Sequence, residues 1–96
     1  MKIQFLEPAE IEMLEAAAYY ELQVKALGKN FLDIVEAAVI EIAEEPTIWM
    51  EIYQGIRRRL IRRFPYSILY SIHENEIVIV AVMHQKQKPH YWIGRI

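Results

Sequence analysis

The chain has 96 residues, of which 54% are hydrophobic, and it contains no cysteine. A chain of this length buries roughly 60–70% of its unfolded surface, which is sufficient for one core without disulfides. The hydrophobic content excludes a disordered chain, and the lack of cysteine excludes thiol chemistry. The longest apolar run, residues 77–83, is far shorter than the ~18–20 residues of a membrane helix. We therefore expect one soluble domain over residues 1–96, located in the cytoplasm.

The formal charge of −2 hides a strongly divided chain. Residues 1–54 hold eleven Asp/Glu and three Lys, a formal −8, whereas residues 55–96 hold eight Lys/Arg and two Glu, a formal +6. Such asymmetry indicates an anionic partner for the basic half. The alternative interpretation is a solvated strand whose arginines pair with acidic helices of the same chain. Five of the basic residues form what we call the arginine cluster: Arg57, Arg58, Arg59, Arg62 and Arg63.

The first half of the chain predicts a strand followed by two helices. Residues 2–6 alternate in polarity and predict a short strand. Pro8 is well placed in the first turn of a helix that ends just before Gly28. Asn30 is placed to cap a second helix, which Pro46 ends. Because the intervening loop is about three residues long, we expect the helices to form an antiparallel hairpin.

The second half predicts strands. Residues 47–54 predict a connector, and the apolar period beyond it changes to two, which is typical of strands. We expect three antiparallel strands, with Glu74-Asn75 as the tight turn between the last two. Residues 77–83 are apolar on both faces, so both faces of this strand should be covered. A short helical turn is predicted near residues 91–95. The order β-α-α-β-β-β indicates an α+β fold, with the sheet packed on the helical hairpin.

Helical spacing and strand parity also predict the core. One apolar stripe is expected from each helix, together with the inward positions of the strands. The predicted core residues are Ile3, Phe5, Ile11, Leu14, Ala18, Leu22, Phe31, Ile34, Ala38, Ile42, Ile68, Tyr70, Ile77 and Ile79.

Several short motifs lie along this order of elements. They are Phe5, Glu7-Pro8-Ala9, Tyr19-Tyr20, Phe31, Pro46, Gly55-Ile56-Arg57, Arg62–Tyr70 (RRFPYSILY), Ile79–His84 and Pro89–Trp92. With these motifs the chain resembles the RelE/ParE family of toxins from bacterial type II toxin–antitoxin modules. The Arg-Phe-Pro-Tyr segment, followed by a strand and a late histidine, is similar to what ParE-like members of plasmid stabilisation systems show.

The resemblance implies partners rather than cofactors. It implies a cognate antitoxin, typically with an acidic and apolar toxin-binding tail, and a target such as DNA gyrase, which ParE-like members poison by protein contact. It implies no cofactor, and the three histidines match no metal-ligand spacing. The residues expected to bind these partners are Arg57, Arg58, Arg59, Arg62, Arg63, Lys86, Lys88, Trp92 and Arg95. For Tyr91 and Trp92, packing onto the sheet is the alternative interpretation.

The second function that the resemblance implies is a RelE-like endoribonuclease, which cuts mRNA on the ribosome. Such members place an arginine after the aromatic residue that starts the third strand, where this chain has Ser67, and another beyond the last strand, where it has Gln85. These departures favour a binding toxin over an enzyme, while a toxin-fold protein without toxicity is a third possibility. A ribonuclease needs cations and a proton-transfer group, and the candidates are Arg57, Arg59, Lys86, Lys88, His84, His90 and Tyr91.

Overall fold

The computed structural model describes all 96 residues and shows a helical hairpin on one face of a five-stranded sheet. This confirms the predicted α+β fold. The elements are β1 (Lys2–Phe5), α1 (Glu7–Gln23), α2 (Leu27–Glu44), β2 (Glu51–Tyr53), β3 (Ile56–Leu60), β4 (Tyr66–His73), β5 (Glu76–His84) and a 3-10 turn (Ile93–Arg95). The two helices are not long and apolar enough to cross a membrane.

The sheet is mixed, with the strand order β1-β5-β4-β3-β2. The four later strands pair antiparallel, as predicted for the second half, but β1 pairs in parallel with β5. Strand β2 lies within the segment predicted as a connector. Its three residues are too few to show the alternation that identifies a strand in a sequence. The β1 pairing ends where Phe5 meets Ile79, and Leu6 then donates to the Ile79 carbonyl as the chain enters α1. The second half of β5 therefore has no neighbouring strand on that side.

Both faces of the sheet are covered. On the helix face, Phe31, Val35 and Ile42 of α2 pack with buried residues of β4 and β5 such as Ile68 and Ile79. On the opposite face, a second cluster forms around Leu69, Val80, Ala81 and Ile56, and Trp92 from the chain end closes it. This confirms that β5 is covered on both sides.

A bulge in β5 places two neighbouring residues in the second cluster. Leu69 pairs with Ala81 and Tyr70 with Ile79, so Val80 has no partner of its own on β4. Bulges bend a strand and re-aim its side chains. Here the extra residue lets Val80 and Ala81 both pack beneath Trp92.

The predicted apolar stripe of α1 is wrong. Ile11, Leu14 and Leu22 are exposed, Leu22 by 87%, and Ala18 is exposed as well. The face that packs consists of Ala9, Met13, Ala16, Ala17 and Tyr20. The apolar residues of α1 lie on all sides of the helix, so their spacing does not indicate which face is buried. The small alanines allow close packing against the rest of the protein. The other ten predicted core residues are buried or packed against the core.

The hairpin junction also differs from the prediction. Helix α1 ends at Gln23, and α2 begins at Leu27, so Gly28 lies in the first turn of α2 and Asn30 does not cap it. The loop does contain the three residues expected. The cap comes from the other helix, because the Glu21 carboxylate accepts hydrogen bonds from the backbone N–H groups of Ala26 (2.7 Å) and Gly28 (2.9 Å). An N-cap normally comes from the residue just before the helix, so the sequence pattern did not reveal this one.

Candidate partner-binding site

Two residues of the arginine cluster are held within the chain. Arg57 donates to the backbone carbonyls of Thr47 (3.1 Å) and Trp49 (2.6 Å). Arg59 forms an ion pair with Glu41 of α2, and its guanidinium lies 5.0 Å from the centre of the Trp49 ring. The interpretation as a strand paired with acidic helices is therefore correct for Arg59. Both arginines that are candidates for the ribonuclease alternative therefore already have internal partners.

The next two arginines face solvent beside a cleft. Arg62 and Arg63 are exposed and form no ion pair. They lie in the turn between β3 and β4, where Arg63 adopts a left-handed conformation with φ 71°. The cleft, which we call the basic cleft, has a volume of about 320 Å³ and is lined by Ile34, Ala37, Ala38, Glu41, Arg59, Arg62 and Arg63. Its apolar floor and cationic rim suit a ligand that is both apolar and acidic.

The other flank of α2 carries an apolar groove of about 470 Å³. Leu14 and Ile40, which are about half exposed, stand at this groove with no partner. Beside it runs β1, an edge strand of the sheet. An exposed edge strand offers unpaired backbone groups to a second chain. The full lining of the apolar groove is Ile3, Phe5, Met13, Leu14, Leu32, Val35, Glu36, Val39 and Ile40.

The C-terminal segment, residues 85–96, is anchored by two residues predicted to bind partners. Trp92 is 1% exposed, so its indole packs onto the sheet, as the alternative interpretation had it. Arg95 donates to both carboxylate oxygens of Glu12 (2.9 Å each) and to the Val80 carbonyl (3.1 Å). Tyr91 donates its hydroxyl to the same Glu12 (2.5 Å) and lies under the Arg95 guanidinium. Trp92, Arg95 and Tyr91 thus hold the segment against the rest of the chain. Their predicted contacts with partners stay a prediction.

The environment of Tyr91 does not suit proton transfer. Burial, and then the hydrogen bond to Glu12, raise the pKa of the Tyr91 hydroxyl well above its usual value. The hydrogen bond to Glu12 also raises the pKa of Arg95. General acid–base catalysis works best when the pKa lies near the working pH. Tyr91 therefore stays protonated as a hydrogen-bond donor.

A pocket of about 250 Å³, which we call the tyrosine pocket, is lined by two of the candidate ribonuclease residues, His84 and Tyr91. Tyr66 and His84 pair across β4 and β5, with ring centres 5.0 Å apart. Ser67 faces the opposite side of the sheet, where the second cluster lies, and is 1% exposed. The pocket's ionisable lining consists of Glu12, Glu15, Tyr19, Tyr66, His84 and Tyr91, so it contains two carboxylates and no lysine or arginine. A site with this lining has no permanent cation to stabilise a developing phosphate charge.

The remaining predicted residues do not line this pocket. Gln85, Lys86, Lys88 and His90 are exposed on the loop after β5. His90 lies against Tyr53 (5.5 Å between ring centres) and Trp92, not against Tyr66. Arg58 alternates with Arg57 and Arg59 along β3 and pairs with Leu69 of β4, on the face opposite the helices. No group of three or more histidine, aspartate or glutamate side chains is placed to hold a metal ion.

The fold and these surfaces define a class: a helical hairpin on a five-stranded sheet, with a basic cleft and an apolar groove on the two flanks of α2. The family described as "ParE toxin of type II toxin-antitoxin system, parDE" matches residues 3–89. The chain belongs to this family, which confirms the predicted resemblance.

One solved structure supports the same fold. It is described as "Chromosomal ParDE TA system from P. aeruginosa", with a TM-score of 0.64 and 16% identity, and the match covers 88% of this chain and 95% of that chain. At this identity the likeness shows the fold alone. No curated protein matches the chain significantly.

Proposed function

We propose that this ParE-family chain acts in the cytoplasm as a toxin that binds a protein target, with DNA gyrase as the first candidate, and that it breaks no bond itself. The observation that carries this proposal is the lining of the tyrosine pocket. RelE-like members have arginines at the positions of Ser67 and Gln85, and the pocket itself is lined by Glu12 and Glu15 with no lysine or arginine, while Tyr91 is held as a donor to Glu12. Glu12 is paired with Arg95 and no lysine or arginine lines the pocket, so the pocket offers no free cation to an RNA phosphate, and this favours inhibition by binding.

A cognate antitoxin is the second proposed partner, and the two flanks of α2 are its proposed site. Arg62 and Arg63 are exposed and unpaired beside an apolar floor, so they are available to carboxylates of an acidic segment. The apolar groove on the other flank is proposed to bind the apolar residues of the same antitoxin. The solved ParDE structure is described as a toxin–antitoxin system, which supports a two-protein assembly here.

The target is tested by inducing the chain alone in bacteria. We expect growth arrest with DNA breaks and an SOS response, and inhibition of supercoiling by purified DNA gyrase. Messenger RNA should remain intact on ribosomes. Ribosome-dependent mRNA cleavage that is abolished by Tyr91→Phe would reject this proposal in favour of the ribonuclease, because that change removes only the hydroxyl.

The antitoxin site is tested by a double variant, Arg62→Ala/Arg63→Ala. Charge-assisted hydrogen bonds are worth about 1.5–3 kcal/mol each, so the affinity for the protein encoded beside this chain should fall by tenfold or more. Lys86→Ala/Lys88→Ala is the matched control, since it removes the same charge from the exposed loop after β5. An equal loss of affinity in both variants would show that only net charge matters and that the basic cleft is not the site.

A further inference from the structure

The unpaired half of β5 has two backbone groups on the side that β1 does not reach. The N–H of Val82 donates to a Glu12 oxygen at 3.0 Å, and the carbonyl of Val80 accepts from Arg95 at 3.1 Å. Backbone groups that leave water without a partner cost free energy. The Glu12–Arg95 ion pair therefore takes the position that the next strand would occupy along this edge.

Glu12 joins three parts of the chain that are distant in sequence. Its carboxylate accepts four hydrogen bonds, from Val82 of β5, from Tyr91, and twice from Arg95. Glu12 and Arg95 are both largely buried, with side chains 20% and 18% exposed. Removing one member of such a pair leaves the other charge without compensation. The neighbouring acidic residues of α1, Glu10 and Glu15, are exposed and form no such bonds.

We propose that Glu12 is the positioning residue of the toxin: it orders the C-terminal segment, and the ordered segment is what contacts the target. The inference rests on the proposed function. The segment has one apolar anchor, Trp92, and one polar anchor, Glu12, on which both Tyr91 and Arg95 depend. Without the carboxylate, the 3-10 turn at Ile93–Arg95 keeps no side-chain bond to the rest of the protein except the one from Arg95 to Val80.

The test combines a measurement of local order with one of toxicity, on the full chain. In Glu12→Gln, amide hydrogen exchange of residues 91–96 should accelerate by tenfold or more, while exchange in β4 stays as in the parent. Growth inhibition and gyrase inhibition should fall by tenfold or more. Arg95→Gln should reproduce both effects, and the double variant should be no worse than either single one, because the residues act as a pair. Glu10→Gln, an exposed acidic residue on the same helix, should behave like the parent.

Two results would overturn the inference. Parent-like exchange in Glu12→Gln would show that Glu12 does not order the segment, and if toxicity were lost at the same time Glu12 would be a contact residue instead. Faster exchange with full toxicity would show that order in the segment does not matter. If Glu12→Gln fails to fold, Arg95→Gln at the chain end carries the same test. A parent chain that inhibits neither growth nor gyrase would reject the proposed function instead, and the exchange data would still decide whether Glu12 orders the segment.

Discussion

The role of a single side chain in this protein depends on the residues that it contacts. Arg57 and Arg62 belong to one cluster, yet Arg57 donates to two backbone carbonyls while Arg62 faces solvent beside the basic cleft. Tyr91 is a candidate proton-transfer residue by sequence, but its hydroxyl donates to Glu12, 79 positions away. A match of residue type therefore does not carry the chemistry with it, because the burial and the Glu12 hydrogen bond that raise the pKa of Tyr91 come from distant parts of the chain.

Two leucines test the corrected core at this scale. Leu69 is fully buried, whereas Leu22, a predicted core residue, is 87% exposed. Leu69→Ala should lower the free energy of unfolding by about 2–5 kcal/mol, because it removes buried methyl groups and leaves a cavity. Leu22→Ala should change it by no more than about 0.5 kcal/mol. Urea unfolding of both variants measures the difference, and a loss at Leu22 as large as that at Leu69 would contradict this packing of α1.

At the scale of elements, the hairpin of α1 and α2 depends on one close approach and one unusual cap. A Cβ added at Gly28 would lie 2.3 Å from the backbone oxygen of Ala17, so the helices meet where only glycine fits. Beside this contact, Glu21 of α1 caps the first amides of α2. The sequence predicted the hairpin and its loop length correctly, but it placed Gly28 just after α1 instead of in the first turn of α2. Glycine is suited both to the end of a helix and to a close contact between helices, so its presence does not distinguish the two.

The close approach is tested by Gly28→Ala. Alanine is favoured over glycine in a helix by about 1 kcal/mol, so a gain would be expected if the site had room. Because the methyl group would force the helix backbones apart, we expect a net loss of about 1–3 kcal/mol in unfolding free energy. Gly94→Ala is the control, as nothing lies within 4 Å of its added Cβ. A stabilised Gly28→Ala variant would show that the helices separate without cost.

The cap is tested by its pH dependence. The hydrogen bond from the Ala26 N–H lowers the pKa of Glu21 in the folded protein. A group whose folded pKa lies below its unfolded value, about 4.3 for glutamate, adds stability above that value and loses it as the pH falls through the folded pKa. Glu21→Gln should therefore have a lower Tm than the parent at pH 7, and the gap should close as the pH falls through the lowered folded pKa of Glu21. Glu15→Gln, exposed on α1, should show no such gap; a gap for Glu21→Gln that persists in acid would contradict a cap that depends on the charge.

Over the whole molecule, the surfaces proposed to bind partners are separate from one another. The basic cleft lies on one flank of α2 and the apolar groove on the other, while the C-terminal segment covers the opposite face of the sheet. Antitoxin and target contacts are thus proposed for separate surfaces. Acidic residues of the first half form ion pairs with arginines of the second half at Glu41–Arg59 and at Glu12–Arg95.

Salt dependence tests the proposed use of the basic cleft. Complementary charges mainly raise the association rate, and salt screens them. The association rate of the antitoxin should fall by about tenfold or more as ionic strength rises from about 0.05 M to about 0.5 M. The fall should be clearly smaller for Arg62→Ala/Arg63→Ala in stopped-flow measurements. A parent rate that does not respond to salt would mean that the cleft does not steer the antitoxin.

The order of elements, the helical hairpin and the double-sided burial of β5 followed from the sequence, because periodicity, turn residues and proline positions are local signals. The packed face of α1 did not, since apolar residues surround that helix. Strand β2 was too short to show a period. The internal partners of Arg57, Arg59 and Tyr91 depend on contacts between distant segments, so only the tertiary structure decided them. It joined Glu12 to Arg95, 83 positions away, because the second half of β5 has unpaired backbone groups that this ion pair satisfies.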